Sequence, residues 1–105
     1  MSVLTIFRSR LRPGIHEEYA VVAARMEQLV ATMDGFEGHW FYANGAERVT
    51  IVRFRDEASQ AAWANHPEHR AAQELGRSTF YDFYDLSVGS ETLHHAFHAD
   101  EGTVN

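Results

Sequence analysis

Asn44-Gly45 lies between two short runs, residues 36–43 and 48–55, that are both rich in Val, Ile, Phe, Trp and Tyr. This dipeptide tolerates the positive φ angles of a tight two-residue hairpin turn, so the two runs fold back on each other as antiparallel strands. Both runs carry apolar side chains in both alternation phases. A strand wetted on one face would carry them in only one, so this hairpin belongs to a sheet that needs cover on both sides.

The rest of the chain supplies a sheet around it. Residues 3–11 place Val3, Thr5, Phe7, Ser9 and Leu11 in one phase and Leu4, Ile6, Arg8 and Arg10 in the other, the pattern of a strand. Pro13-Gly14 turns the chain. Tyr19, Val22, Met26, Leu29, Val30 and Met33 then recur at three- and four-residue steps, as an amphipathic helix requires, with Glu17 and Glu18 at its positive end and Gly35 placed to stop it. After the hairpin, Asp56 suits an N-cap for a helix through Ala58, Ala61, Ala62 and Trp63. Pro67 suits the first turn of another that ends near Gly76, and residues 79–88 read as a fourth, aromatic-rich strand.

Strand, helix, strand, strand, helices, strand is the split βαβ order. The fold class is therefore α+β, ferredoxin-like, with a four-stranded antiparallel sheet and helices on one face. Phe7, Trp40, Val52 and Tyr84, or their alternate neighbours, line the other face, which calls for a second subunit. A cavity is expected between sheet and helices.

At 105 residues the chain has room for one domain, read as 1–90, followed by a polar, histidine-rich tail over 91–105. Its aromatic content of 12% is high for so small an interior and also points to a homodimer. A net charge of -6, without a basic stripe, argues against nucleic acid as a partner. The chain has no cysteine, and its nine basic residues are all arginine. Schiff-base chemistry, a P-loop lysine, thiolate catalysis and disulfides are thereby excluded. No stretch is apolar and long enough for a membrane span, and the N-terminus lacks the charge order of a secretory signal, so a cytoplasmic location is expected.

Three segments carry a resemblance to a known family: RPGIHEEYA at 12–20, MDGFEGHWFY at 33–42 and VTIVRFRDEASQAAWANHPEHRAA at 49–72. Together with the opening strand they resemble the antibiotic biosynthesis monooxygenase family, whose members are dimeric α+β barrels. The resemblance implies an oxygenase with no flavin, metal or other cofactor, in which a small aromatic substrate such as a quinol or anthrone supplies electrons to dioxygen. The haem-degrading branch pairs a first-strand asparagine with a second-helix tryptophan and a haem-ligating histidine nine or ten residues later. Here Trp63 matches, while Phe7 stands for the asparagine and Ala72 or Gln73 for the histidine. The polyketide-oxidising branch uses an asparagine on the third strand and a tryptophan after it; Thr50 and Phe54 occupy those positions.

WANHPEHR, at 63–70, concentrates the candidate chemistry. Proline pushes the residue before it out of helical geometry, so His66 falls at an N-cap and His69 in the first turn of the next helix. In one reading His69 or His66 is the base that removes a phenolic proton, and Trp63 packs on the substrate ring. In the other His66 only caps, Trp63 fills the core and His69 faces water or Glu74. His39, Trp40 and Tyr84 are further candidates for substrate contact, though His39 and Trp40 point to opposite faces of their strand. Strict alternation also sets Asp82 and Asp85 on opposite faces, which rules out a carboxylate pair. His94 and His98 share a face only if the tail is helical, and zinc then still needs a third ligand; the alternative is a surface histidine cluster. A non-catalytic ligand-binding or stress-related dimer, and a haem-binding protein, stand as the competing functions.

Overall fold

We describe residues 1–99 of the protein from a computed structural model. The elements follow the expected order: β1 (Val3–Leu11), α1 (His16–Val30), β2 (Phe36–Asn44), β3 (Glu47–Phe54), α2 (Glu57–Ala64), α3 (Pro67–Leu75) and β4 (Tyr81–Ser90). The four strands form one antiparallel sheet in the order β2-β3-β1-β4, with β1 in the interior, the ferredoxin-like arrangement.

Register divides the side chains between the two faces. Val3, Thr5, Ser9 and Leu11 of β1 are buried towards the helices. Thr5 pairs with Val52, and Val52 with His39, so these three share that inward face. The core closes where Val52 and Phe54 meet Val30 of α1 and Trp63 of α2, with Met26, Leu29, Met33 and Phe36 packed around them. On the opposite face Ile6, Ile51 and Trp40 stand side by side. Ile6 is 40% and Trp40 42% exposed there, so an apolar row lies open.

Phe7, Trp40, Val52 and Tyr84 therefore do not share the open face. Ser9 pairs with Tyr84 and Phe7 with Thr50, which puts Phe7, Val52 and Tyr84 on the helix side and leaves Trp40 alone of the four outside.

Three local expectations change. Helix α1 ends at Val30, and Gly35 serves the later turn into β2, with φ +84; a Cβ there would sit 2.1 Å from Ser59 Oγ, so α2 packs too close for any other residue. The chain enters β4 at Tyr81, because Gly76–Phe80 form a wide π-type turn. The carbonyls of Arg77, Ser78 and Tyr81, at and just after that turn, accept from the Arg12 guanidinium at 3.5, 3.2 and 3.0 Å. Finally, the β1–β4 register shifts between Arg10 and Leu11, and the bulge lets Asp82 reach Arg10 at 3.4 Å while Asp85 reaches Arg8 at 2.9 Å. Both acids thus meet open-face arginines, and each is neutralised by its own partner.

Both expected helix N-caps form. Asp56 accepts from the Ser59 N–H at 2.8 Å, and His66 Nδ1 accepts from the Glu68 N–H at 3.1 Å with Pro67 directly behind it. Beyond Ser90, residues 91–99 form neither helix nor strand. The Glu91 N–H donates to the Ser2 carbonyl, and the Glu91 carboxylate holds Arg53 at 2.7 Å. Positions 100–105 of the expected tail lie outside the described residues. No helix among the described residues is long and apolar enough to cross a membrane.

Candidate active site

A cavity of about 770 Å³ opens between the sheet and the helices. Its floor is the inward face of the sheet, with Thr5, Phe7, His39, Phe41, Thr50 and Val52. Helix α1 forms the roof through Tyr19, Ala23 and Met26, and α2 and α3 close one end through Trp63 and His69. A volume of this size, mostly apolar with a few polar groups, is that of a small-molecule site.

The helix junction at 63–70 builds the end wall. Trp63 is only 6% exposed, and the His69 ring stacks on it with centroids 4.1 Å apart and planes 15° from parallel. His69 Nδ1 lies 2.9 Å from the Trp63 carbonyl oxygen. A carbonyl can only accept, so Nδ1 carries the proton and Nε2 keeps its lone pair when the ring is neutral. Burial lowers the His69 pKa, and the nearby His66 acts in the same direction against the opposing hydrogen bond to Trp63. Neutral His69 is thus a base with its free nitrogen unpaired among the described residues. Arg25 of α1 grips Glu68 of α3 through two 2.8 Å bonds, which fixes the segment that carries His69.

That shift sets a measurable sign. Folded His69 should titrate below 6.5, its ordinary value, as followed by the NMR shifts of its ring carbons. As the pH falls below 6.5 the unfolded chain takes up this proton first, so the contribution disfavours folding at acid pH and vanishes above 6.5. A midpoint at or above 6.5 would contradict the buried, stacked geometry.

His39 and Tyr84 also line the cavity, Tyr84 from the edge strand with its ring 5.5 Å from that of Phe7. Two candidates lie off the cavity wall. His66 spends its Nδ1 capping α3, and although its ring lies 6.1 Å from that of Trp63, it is not part of the cavity wall. Trp40 falls on the open face, its indole folded over Gly38, because alternation gives the inward positions to His39 and Phe41. Thr50, Ala72 and Gln73, the substituents at branch-specific positions, lie on the wall, whereas Phe54 is wholly buried. In the tail, His94 approaches Glu91 at 3.7 Å outside any helix. Among the described residues no group of three His, Asp or Glu side chains converges to hold a metal.

Arg48 and Tyr19, which the sequence did not single out for the site, line the cavity beside Tyr81. The Arg48 guanidinium lies 5.1 Å over the Tyr19 ring and 5.6 Å over that of Phe41, and its Nε is buried without a hydrogen-bond partner. Burial raises the pKa of both tyrosines, with Arg48 opposing in each case, so both phenols keep their protons at neutral pH. The available signal was phase: Arg48 alternates in step with Thr50, Val52 and Phe54.

The model of the antibiotic biosynthesis monooxygenase family matches residues 2–75. The chain belongs to this family. Among relatives, it is 31% identical over 90 residues to the jasmonate monooxygenase ABM of Pyricularia oryzae, covering 83% of this chain and 42% of that protein. It is 35% identical over 71 residues to the uncharacterized protein YqjZ of Bacillus subtilis, covering 67% of this chain and 62% of that one. The chain thus spans about half the length of the curated relatives it matches. A cofactor-independent oxygenase of Streptomyces nogalater shares the fold with TM-score 0.76 and 17% identity, over 89% of this chain and 95% of that one. A Mycobacterium tuberculosis protein does so with TM-score 0.81 and 16% identity, over 91% and 100%. The fold of this ABM chain is therefore the family's ferredoxin-like α+β fold, as the resemblance implied.

Proposed function

We propose that this ABM protein is a cofactor-independent monooxygenase acting on a small aromatic or quinol-type substrate held in the cavity, with His69 as the general base. The observation that carries the reading is His69 itself: neutral, proton fixed on Nδ1, Nε2 free, on the wall of an apolar cavity. Two relatives support the class, one named a jasmonate monooxygenase and one a cofactor-independent oxygenase. For an anthrone-like substrate, His69 Nε2 takes the acidic proton and leaves an electron-rich anion that reacts with dioxygen. One oxygen atom becomes the new carbonyl and the other leaves as water with the two hydrogens of the former methylene. The methylene gives up four electrons, the number dioxygen takes to become carbonyl oxygen and water, so the balance needs no further reductant. Purified protein mixed with menadiol or an anthrone should consume oxygen faster than the spontaneous reaction. Thermal shifts by such ligands with no added uptake across several quinols and anthrones would instead identify a binding protein. A Soret band of a ligated species on adding hemin would redirect the reading to haem.

The protein is further proposed to be a homodimer joined through the open face of the sheet. Exposed Ile6 and Trp40 beside Ile51 make an apolar strip that a second copy can cover. Sedimentation equilibrium should give twice the chain mass of 12.0 kDa, and a monomer mass at micromolar concentration would sink this assignment.

A further inference from the structure

Arg48 sets this cavity apart from a purely apolar aromatic pocket. The arginines of the open face are all neutralised: Arg8 by Asp85, Arg10 by Glu47 and Asp82, Arg53 by Glu37 and Glu91. Arg48 points the other way, into the cavity, opposite Ser9 and Ala43, whose short side chains leave its head group room. It has no carboxylate partner among the described residues. Its Nε is buried and unbonded, and the faces of Tyr19 and Phe41 offer it π-density but no acceptor. Among the described residues the only carboxylate on the cavity wall is Glu27, against two guanidinium groups, Arg48 and Arg77. In a chain of net charge -6, that local excess of positive charge is a deliberate departure.

We propose that the cavity takes a substrate bearing a carboxylate, an aromatic or cyclic acid, and that Arg48 binds that carboxylate with the Tyr19 and Tyr81 phenols beside it. This rests on the reading of the cavity as a site for a small aromatic molecule and names its class. A guanidinium offers a carboxylate two parallel N–H donors, here from the two terminal nitrogens, because Nε is closed off from the cavity. The rings of Tyr19 and Tyr81 lie 6.0 Å apart, and the Tyr81 hydroxyl donates towards that of Tyr19, which leaves the Tyr19 O–H to donate to an anionic oxygen. The scale also fits. From Arg48 along β3 to Val52, which packs with Trp63, is about 13 Å, so an acid anchored at Arg48 presents a ring near His69 if it is about 10 Å long.

Calorimetric titration of the full chain with para-phenylbenzoic acid and its primary amide tests this at neutral pH. The acid should bind at least about 10-fold tighter than the amide, and the preference should shrink as salt is raised. Arg48→Gln should bring the ratio near one, while Arg48→Lys keeps part of it. Circular dichroism establishes that the variants fold; the salt dependence in the unaltered protein carries the test if they do not. Equal affinity for acid and amide, binding of neither, or an unchanged ratio in folded Arg48→Gln would overturn the proposal. Preference for the acid, together with no added oxygen uptake across several quinols and anthrones, upholds the carboxylate site and removes the monooxygenase reading. Uptake on neutral quinols without any acid preference does the reverse.

Discussion

His69→Ala is expected to lower oxygen uptake with a quinol or anthrone substrate by about 10²- to 10⁴-fold, the range over which a positioned general base accelerates proton transfer. The protein should remain folded, because the ring lies on a cavity wall and is not part of the buried cluster of Val30, Val52, Phe54 and Trp63. His69→Gln should fail almost as completely, since an amide can occupy the space and bond the Trp63 carbonyl but has no basic nitrogen. The counterpart is His66→Ala. Its Nδ1 caps α3, so the expected cost is about 1 kcal/mol of stability with the chemistry largely kept. Steady-state oxygen consumption, measured beside thermal midpoints, separates the two histidines. Full activity in folded His69→Ala would end the general-base assignment.

The separation of those two histidines was half legible in sequence. Pro67 forces His66 into the extended conformation of a cap, a local rule that tertiary context did not override. Whether His69 faced water or a cavity depended on α3 packing across Trp63, and no local pattern encodes that. The sheet shows the same boundary. Asn44-Gly45 and the alternation of residues 3–11 fix strands and hairpin, and through them the ferredoxin-like order. Alternation also says that His39 and Trp40 part company, yet only the pairing of His39 with Val52, and of Val52 with Thr5, tells which one turns inward. Asp82 shows where alternation itself fails, because one bulge residue resets the phase beyond Leu11. Arg48 was missed for a different reason. A charged residue at the start of a strand reads as solvent-facing, and its burial is visible only once Tyr19 and Phe41 are seen to bracket it.

Trp63→Ala should have the largest effect on stability, and it should also disturb the base. The indole is 6% exposed and packs with Val30, Val52 and Phe54, so its removal from a core this small is expected to cost about 3–5 kcal/mol. Denaturant midpoints read that loss directly, and a change under about 1 kcal/mol would mean that the cavity wall collapses to fill the space. The second effect follows from the stack. His69 owes its lowered pKa first to burial, and the indole covers one face of its ring at 4.1 Å. Uncovering that face readmits water, restores solvation to the imidazolium and moves the His69 pKa up towards 6.5. The variant should then lose activity at a higher pH than the unaltered protein as the solution is acidified. Trp63→Phe, which keeps an apolar ring over His69, should recover much of the stability and most of the acid-side activity. If Trp63→Phe and Trp63→Ala shift the His69 titration equally, the indole fills core without tuning the base, and the low pKa must come from the rest of the cavity.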